Sequence, residues 1–141
     1  MIEELQRLAD MAKAIASPEA VDATDYGFTL DTGSTTLTFF SPNEASGVCY
    51  CRAEVGSLGD KECPAGFAEA ALMGNFFWRA TNGATLSLNK KDNAIFFTDR
   101  FDLGAFEDEK AFTNYLNGFL RTLYDWHERL SIALEGQEVA K

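Results

Sequence analysis

Three cysteines and one histidine are the residues of this sequence that would most readily hold a zinc ion or supply a thiolate and its base. Cys49 and Cys51 stand two apart, Cys63 follows them, and His127 lies far downstream. Structural zinc sites usually take paired CxxC-type ligands on turns. Here Cys49 and Cys51 fall on one face of a strand pattern, so small core residues describe the cysteines better than ligands do. His127, beside Trp126 in a helical pattern, reads as a half-buried helix residue, and no candidate nucleophile can be paired with it. The carboxylates are numerous, yet none forms the Asp-x-Asp-x-Asp-Gly pattern of a calcium loop. Gly74, Gly83 and Gly104 are isolated turn glycines without phosphate-loop spacing, and Asp99-Arg100-Phe101-Asp102 reads as a solvated strand-edge segment. We expect no catalytic residue, no metal, no cofactor and no enzyme.

Charge narrows the partners. The 141 residues carry 22 acids against 12 bases, a net charge of −10. A nucleic-acid binder needs a positive footprint to displace counterions, and Lys90-Lys91 is the longest basic run here. Nucleic acid is therefore excluded as an expected partner, and an anionic membrane surface with it. The sequence has no apolar run long enough for a transmembrane helix, so no membrane insertion is expected. Its first residues carry acids from Glu3 onward, unlike a signal peptide. An odd number of cysteines gives no disulfide framework, and a reducing cytoplasm is the expected location. The net charge either keeps the protein soluble by self-repulsion or suits a carrier of a basic or aggregation-prone chain.

The elements follow from periodicity. Ile2, Leu5, Leu8, Ala12 and Ile15 recur every three or four residues, which predicts an amphipathic first helix ending before Pro18. An acidic loop is expected over 19–25. Tyr26, Phe28 and Leu30 alternate as in a half-buried strand, Asp31 to Ser34 is a turn, and Thr35–Ser41 returns from it. A polar connection over 42–47 leads to a third strand, Val48–Val55. Pro64 opens a short helix with Phe67, Ala71 and Leu72 on its apolar side, ending near Gly74-Asn75. The aromatic run Phe76-Phe77-Trp78 follows, then a hairpin of Ala84–Leu88 and Ala94–Thr98, with a further short strand at 101–103. Asp108 is the expected N-cap of a long last helix carrying Phe112, Leu116, Phe119, Leu123, Trp126, Leu130 and Leu134. The order is α-βββ-α-ββ(β)-α, an α+β fold with a twisted antiparallel sheet. One domain over 1–136 with a flexible tail over 137–141 is expected.

Strand parity places Leu37, Phe39, Cys49, Cys51, Ile95 and Phe97 on one face, under the long helix. Phe40, Tyr50 and Phe96 fall on the other. Either a second helix covers these three aromatics, or they form an exposed patch of the kind that marks an interaction site.

In this order and at this size the chain resembles the class I type III secretion chaperones, the Tir-chaperone family. The resemblance runs through Tyr26-Gly27-Phe28-Thr29-Leu30, Pro64-Ala65-Gly66-Phe67, Ala71-Leu72-Met73-Gly74-Asn75, Gly83 to Asn89, Ala94-Ile95-Phe96-Phe97 and Phe112 to Leu130. Gly74 stands where the family often has a larger residue, and the aromatic run after Asn75 is heavier than usual. The resemblance implies a cytoplasmic homodimer without catalytic activity that holds the N-terminal segment of a secreted effector protein in an export-competent state. It implies a subunit contact through Phe67, Ala71, Met73, Phe76 and Phe77. It also implies a cargo surface involving Leu5, Leu8, Phe40, Tyr50 and Phe96, with extended segments adding to strand edges. A binding module of the same fold that regulates a cellular partner, with no role in export, is the alternative.

Overall fold

The structure is a computed structural model that describes residues 2–42 and 46–139, the last three as backbone only. Its helices are α1 (Glu3–Ile15), α2 (Ala65–Asn75) and α3 (Glu109–Val139). Its strands are β1 (Val21–Ala23), β2 (Gly27–Asp31), β3 (Thr36–Phe40), β4 (Val48–Ser57), β5 (Thr85–Asn89) and β6 (Ala94–Asp102). The strands take the order β1-β2-β3-β4-β6-β5 in one sheet. This is the α+β fold expected, with two differences in its strands.

The first difference is β1, which falls within the expected acidic loop. A 3-10 turn at Pro18–Ala20 delivers the chain alongside β2, where Val21 pairs Leu30 and Ala23 pairs Phe28. Val21 is buried while Asp22 and Ala23 stay exposed. A charged, three-residue strand at the end of a sheet resists pairing with other chains, and its acids hid it from a reading of composition. The second difference is β6, a continuous strand through Asp102 and not two short ones. Asp99 stays in the strand because the Tyr115 hydroxyl donates to its Oδ2 at 2.8 Å. It is half-buried, while Arg100 and Asp102 are exposed.

The chain divides into two compact units, to both of which β4, β6 and α3 contribute. The first comprises the chain up to Ala53 together with Asp99–Asn117. Alternation along its strands buries Phe28, Leu30, Leu37, Phe39, Cys49 and Cys51. Phe28 and Phe39 stack with centroids 4.8 Å apart, and Phe112 meets Phe39 edge-on at 5.8 Å. α1 adds its apolar side to this core. Arg7, from the wet side of α1, donates to the carbonyls of Phe106 (3.2 Å) and Glu107 (2.7 Å), fixing the approach to α3. Asp108 then caps α3 as expected, accepting from the Ala111 N–H at 2.8 Å.

The second unit comprises Glu54–Thr98 and the chain from Gly118 onward. Trp126 is its centre: Phe67 packs edge-on at 6.0 Å, and the indole N–H donates to the Ala80 carbonyl at 3.1 Å. Gly74 of α2 lies directly against this ring, where a Cβ would stand 2.7 Å from Trp126 Cζ2. That contact leaves no room for a side chain at position 74. Phe97 and Phe119 add a second ring pair at 5.2 Å.

Residues 43–45 of the expected polar connection lie outside the described residues. So does the end of the tail expected over 137–141. α3 carries its backbone through Val139, into that stretch, with neither Gly nor Pro there to stop it.

Candidate protein-binding site

The residues with chemical potential are placed where they do little chemistry. Cys49 and Cys51 are buried in the first unit, and burial pushes the Cys49 thiol up to about 12. Burial also raises Cys51, helped by repulsion from Cys49 and Asp99. A thiol held protonated is a poor nucleophile. Cys63, at the end of the loop before α2, is half-buried at a groove in the second unit, and partial burial raises its thiol as well. His127, expected to be half-buried, is exposed, with Nδ1 2.6 Å from the Val55 carbonyl. Among the described residues, no group of three or more His, Cys, Asp or Glu could hold a metal ion. No helix among them is long and apolar enough to cross a membrane.

What the second unit offers instead is apolar surface. Helix α2 buries Phe67 and Gly74 but turns Leu72 (74% exposed) and Met73 (70%) outward. Leu72 therefore leaves the apolar side on which the sequence placed it, because Gly74 and Phe67 define the face toward Trp126. Beyond Asn75 the backbone enters the left-handed region at two successive aromatic residues, Phe77 (φ 54°) and Trp78 (φ 55°). Left-handed geometry costs an L-residue about 1–2 kcal/mol, and three groups hold it in place. The Gly83 N–H donates to the Trp78 carbonyl at 2.9 Å, and the Trp78 indole donates to Thr85 Oγ1 at 3.1 Å. Phe76 and Phe77 lean edge to face, centroids 4.6 Å apart, both 72% exposed. The turn thus holds two aromatic rings in water when simple collapse would have hidden them.

Between α2 and β5 runs a groove of about 230 Å³, lined by Phe67, Ala68, Ala71, Leu72, Leu88 and Ile95 among others. Charge is almost absent here. Residues 64–88 contain one acid, Glu69, and one base, Arg79, so the whole net charge of −10 resides elsewhere in the chain.

Of the residues expected at a subunit contact, Met73, Phe76 and Phe77 are open and Ala71 is half-buried. Phe67 is core, edge-on to Trp126. Of those expected on a cargo surface, Leu5 and Leu8 are 2% exposed each and form the buried side of α1. Their helical spacing placed them in a core, and that spacing was the better guide. Phe40 and Tyr50 occupy paired positions of β3 and β4 in the first unit, stacked at 5.4 Å and half-buried. Arg52 lies over the Phe40 ring, its guanidinium carbon 5.7 Å from the centroid. Phe96, on β6 in the second unit, is also half-buried. Tyr26, Leu72, Trp78, Leu88, Tyr124 and Ile132 are also exposed, and none of them was given a place at a binding surface from sequence. For Trp78 the adjoining Phe76-Phe77 was the available signal.

The model of the Tir chaperone protein (CesT) family matches residues 8–127, and the chain belongs to that family. By class it is a chaperone and not an enzyme. No curated protein matches it by sequence. Among solved structures it is similar to a chain of the HopA1–SchA chaperone–effector complex, 15% identical, with 89% of this chain and 94% of that one covered and a TM-score of 0.66. It is similar to a chain in the structure of the Yersinia pestis type III secretion chaperone SycH with a stable fragment of YscM2 (10% identical, 86% and 98% covered, TM-score 0.63). A third likeness is to a chain of the heterodimeric ExoU–SpcU complex from the type III secretion system of Pseudomonas aeruginosa (15%, 92% and 98%, TM-score 0.54). At these identities the likeness is one of fold.

Proposed function

We propose that this protein is a cytoplasmic type III secretion chaperone that works as a homodimer, holding the N-terminal segment of a secreted effector export-competent without catalysis. The observation that carries the reading is the apolar surface from α2 through Trp78, charged only at Glu69, on an otherwise acidic chain. Two copies at −10 each repel one another, and the interval 64–88 is where they can approach without that repulsion. Exposed Leu72, Met73, Phe76 and Phe77 supply the apolar area that a subunit contact needs. The stacked Phe40–Tyr50 pair with Arg52 supplies a second apolar surface, on the sheet face away from the core, for cargo side chains; Phe96 serves the same role on β6. Complexes such as HopA1–SchA, described as chaperone–effector, support cargo of this kind.

Light scattering on the purified protein tests the reading. Wild type is expected at twice the chain mass and the Phe76→Asp, Phe77→Asp double variant at the chain mass. Phe40→Asp is expected to keep the dimer while losing the co-expressed effector segment. A wild type that runs at the chain mass at micromolar concentration refutes the dimer.

A further inference from the structure

β5 closes one end of the strand order, so among the described residues no strand lies along its outer edge. In an antiparallel pair, successive residues direct their backbone N–H and C=O alternately toward the partner and away from it. β5 pairs β6 with Leu86 opposite Phe97 and Leu88 opposite Ile95. Leu86 shows which way it points. Its N–H donates to Asn75 Oδ1 at 2.9 Å and its carbonyl accepts from Asn75 Nδ2 at 3.0 Å. Leu86 therefore directs both groups outward, and Leu88, two residues on, does the same. The Asn75 carboxamide reproduces what the backbone of a further strand would offer, one acceptor and one donor at strand spacing. Lys90 and Lys91, both exposed, follow at the far end of the strand.

We propose that Asn75 is an edge cap: its side chain occupies the outward donor and acceptor of Leu86 and so denies the outer edge of β5 to an added strand. A bare edge of this kind recruits other chains. With Leu86 occupied and lysines beyond Asn89, the open length of the edge shrinks to Leu88 alone, too short for a register of paired residues. The proposal goes beyond the dimer reading and is judged relative to wild type, so it stands or falls separately from that reading.

Asn75→Ala removes the cap, Asn75→Asp keeps an acceptor and loses the donor, and Leu88→Pro removes the next outward N–H on a strand that tolerates proline at its edge. In native-state hydrogen exchange, Asn75→Ala is expected to speed exchange of the Leu86 amide by about tenfold, with Asn75→Asp between it and wild type. In light scattering, Asn75→Ala is expected to populate species larger than wild type at equal concentration. Adding Leu88→Pro is expected to return the mass to the wild-type value. An Asn75→Ala protein with wild-type mass overturns the proposal. So do larger species that persist with Leu88→Pro, because those arise from something other than edge pairing. So does loss of the folded circular-dichroism spectrum in both Asn75 variants, which makes Asn75 a support of the fold and not a guard of its edge.

Discussion

Cys49 shows what burial does to a residue that chemistry would otherwise use. Its thiol is pushed up from 9.0 to about 12, chiefly because the thiolate would be stranded in the core. The linkage follows from that direction. Below pH 9 the thiol is protonated in both folded and unfolded chains, and its contribution to stability is complete. Between pH 9 and about 12 the unfolded chain releases a proton that the folded chain retains, so stability falls as pH rises. Urea midpoints measured from pH 8 to 11 are expected to decline more steeply for wild type than for Cys49→Ala. The difference is at most about 1.4 kcal/mol per pH unit, the limit for one proton. Parallel curves for the two proteins refute this account. In the native state Cys63 is the thiol open to an alkylating reagent, with Cys49 and Cys51 reacting after unfolding.

At the level of elements, α2 is fixed by a glycine. Gly74→Ala drives a Cβ to within 2.7 Å of the Trp126 ring, which is itself tied to Ala80. Overpacking of this kind costs typically 1–3 kcal/mol, so the unfolding free energy from urea titration should fall by about that amount. An unchanged value would show that α2 moves off Trp126 freely. The same contact explains why part of the fold was legible in the sequence and part was not. α3 announced itself through seven apolar residues at helical steps and through Asp108, because a long helix repeats its pattern often enough to be unambiguous. α2, at 11 residues, repeats too little for its pattern to decide which side faces in. Gly74, with no side chain, marks the inner face and leaves Leu72 outside. β1 was masked by Asp22 and its acidic neighbours, since three residues are too few to show a period of two. For the site, the aromatic content of 76–78 was visible. The left-handed backbone that holds those rings in water was not, because phenylalanine and tryptophan carry no local preference for it.

For the whole molecule, charge governs association. Twenty-two acids against twelve bases set copies of this chain against one another, with the neutral interval 64–88 as the exception. Screening weakens that repulsion, as the Debye length falls from about 30 Å at 0.01 M salt to about 10 Å at 0.1 M. Self-association measured by sedimentation is therefore expected to tighten across that range, the reverse of an interface joined by opposite charges. Weaker association at higher salt would mean that ion pairs and not apolar surface hold the copies together. The two compact units bear on synthesis as well as on packing. One needs residues up to 53 together with 99–117, the other needs 54–98 together with the chain from 118. Neither is a continuous piece of sequence, and α3 supplies the closing segment of each. On the ribosome the strands are made before the helix that covers their apolar sides, and Phe39 in particular waits in water while the rest of the chain up to Phe112 is added. The chain meets its own synthesis as an unfolded client with half-built cores, the same physical state proposed for the cargo it carries.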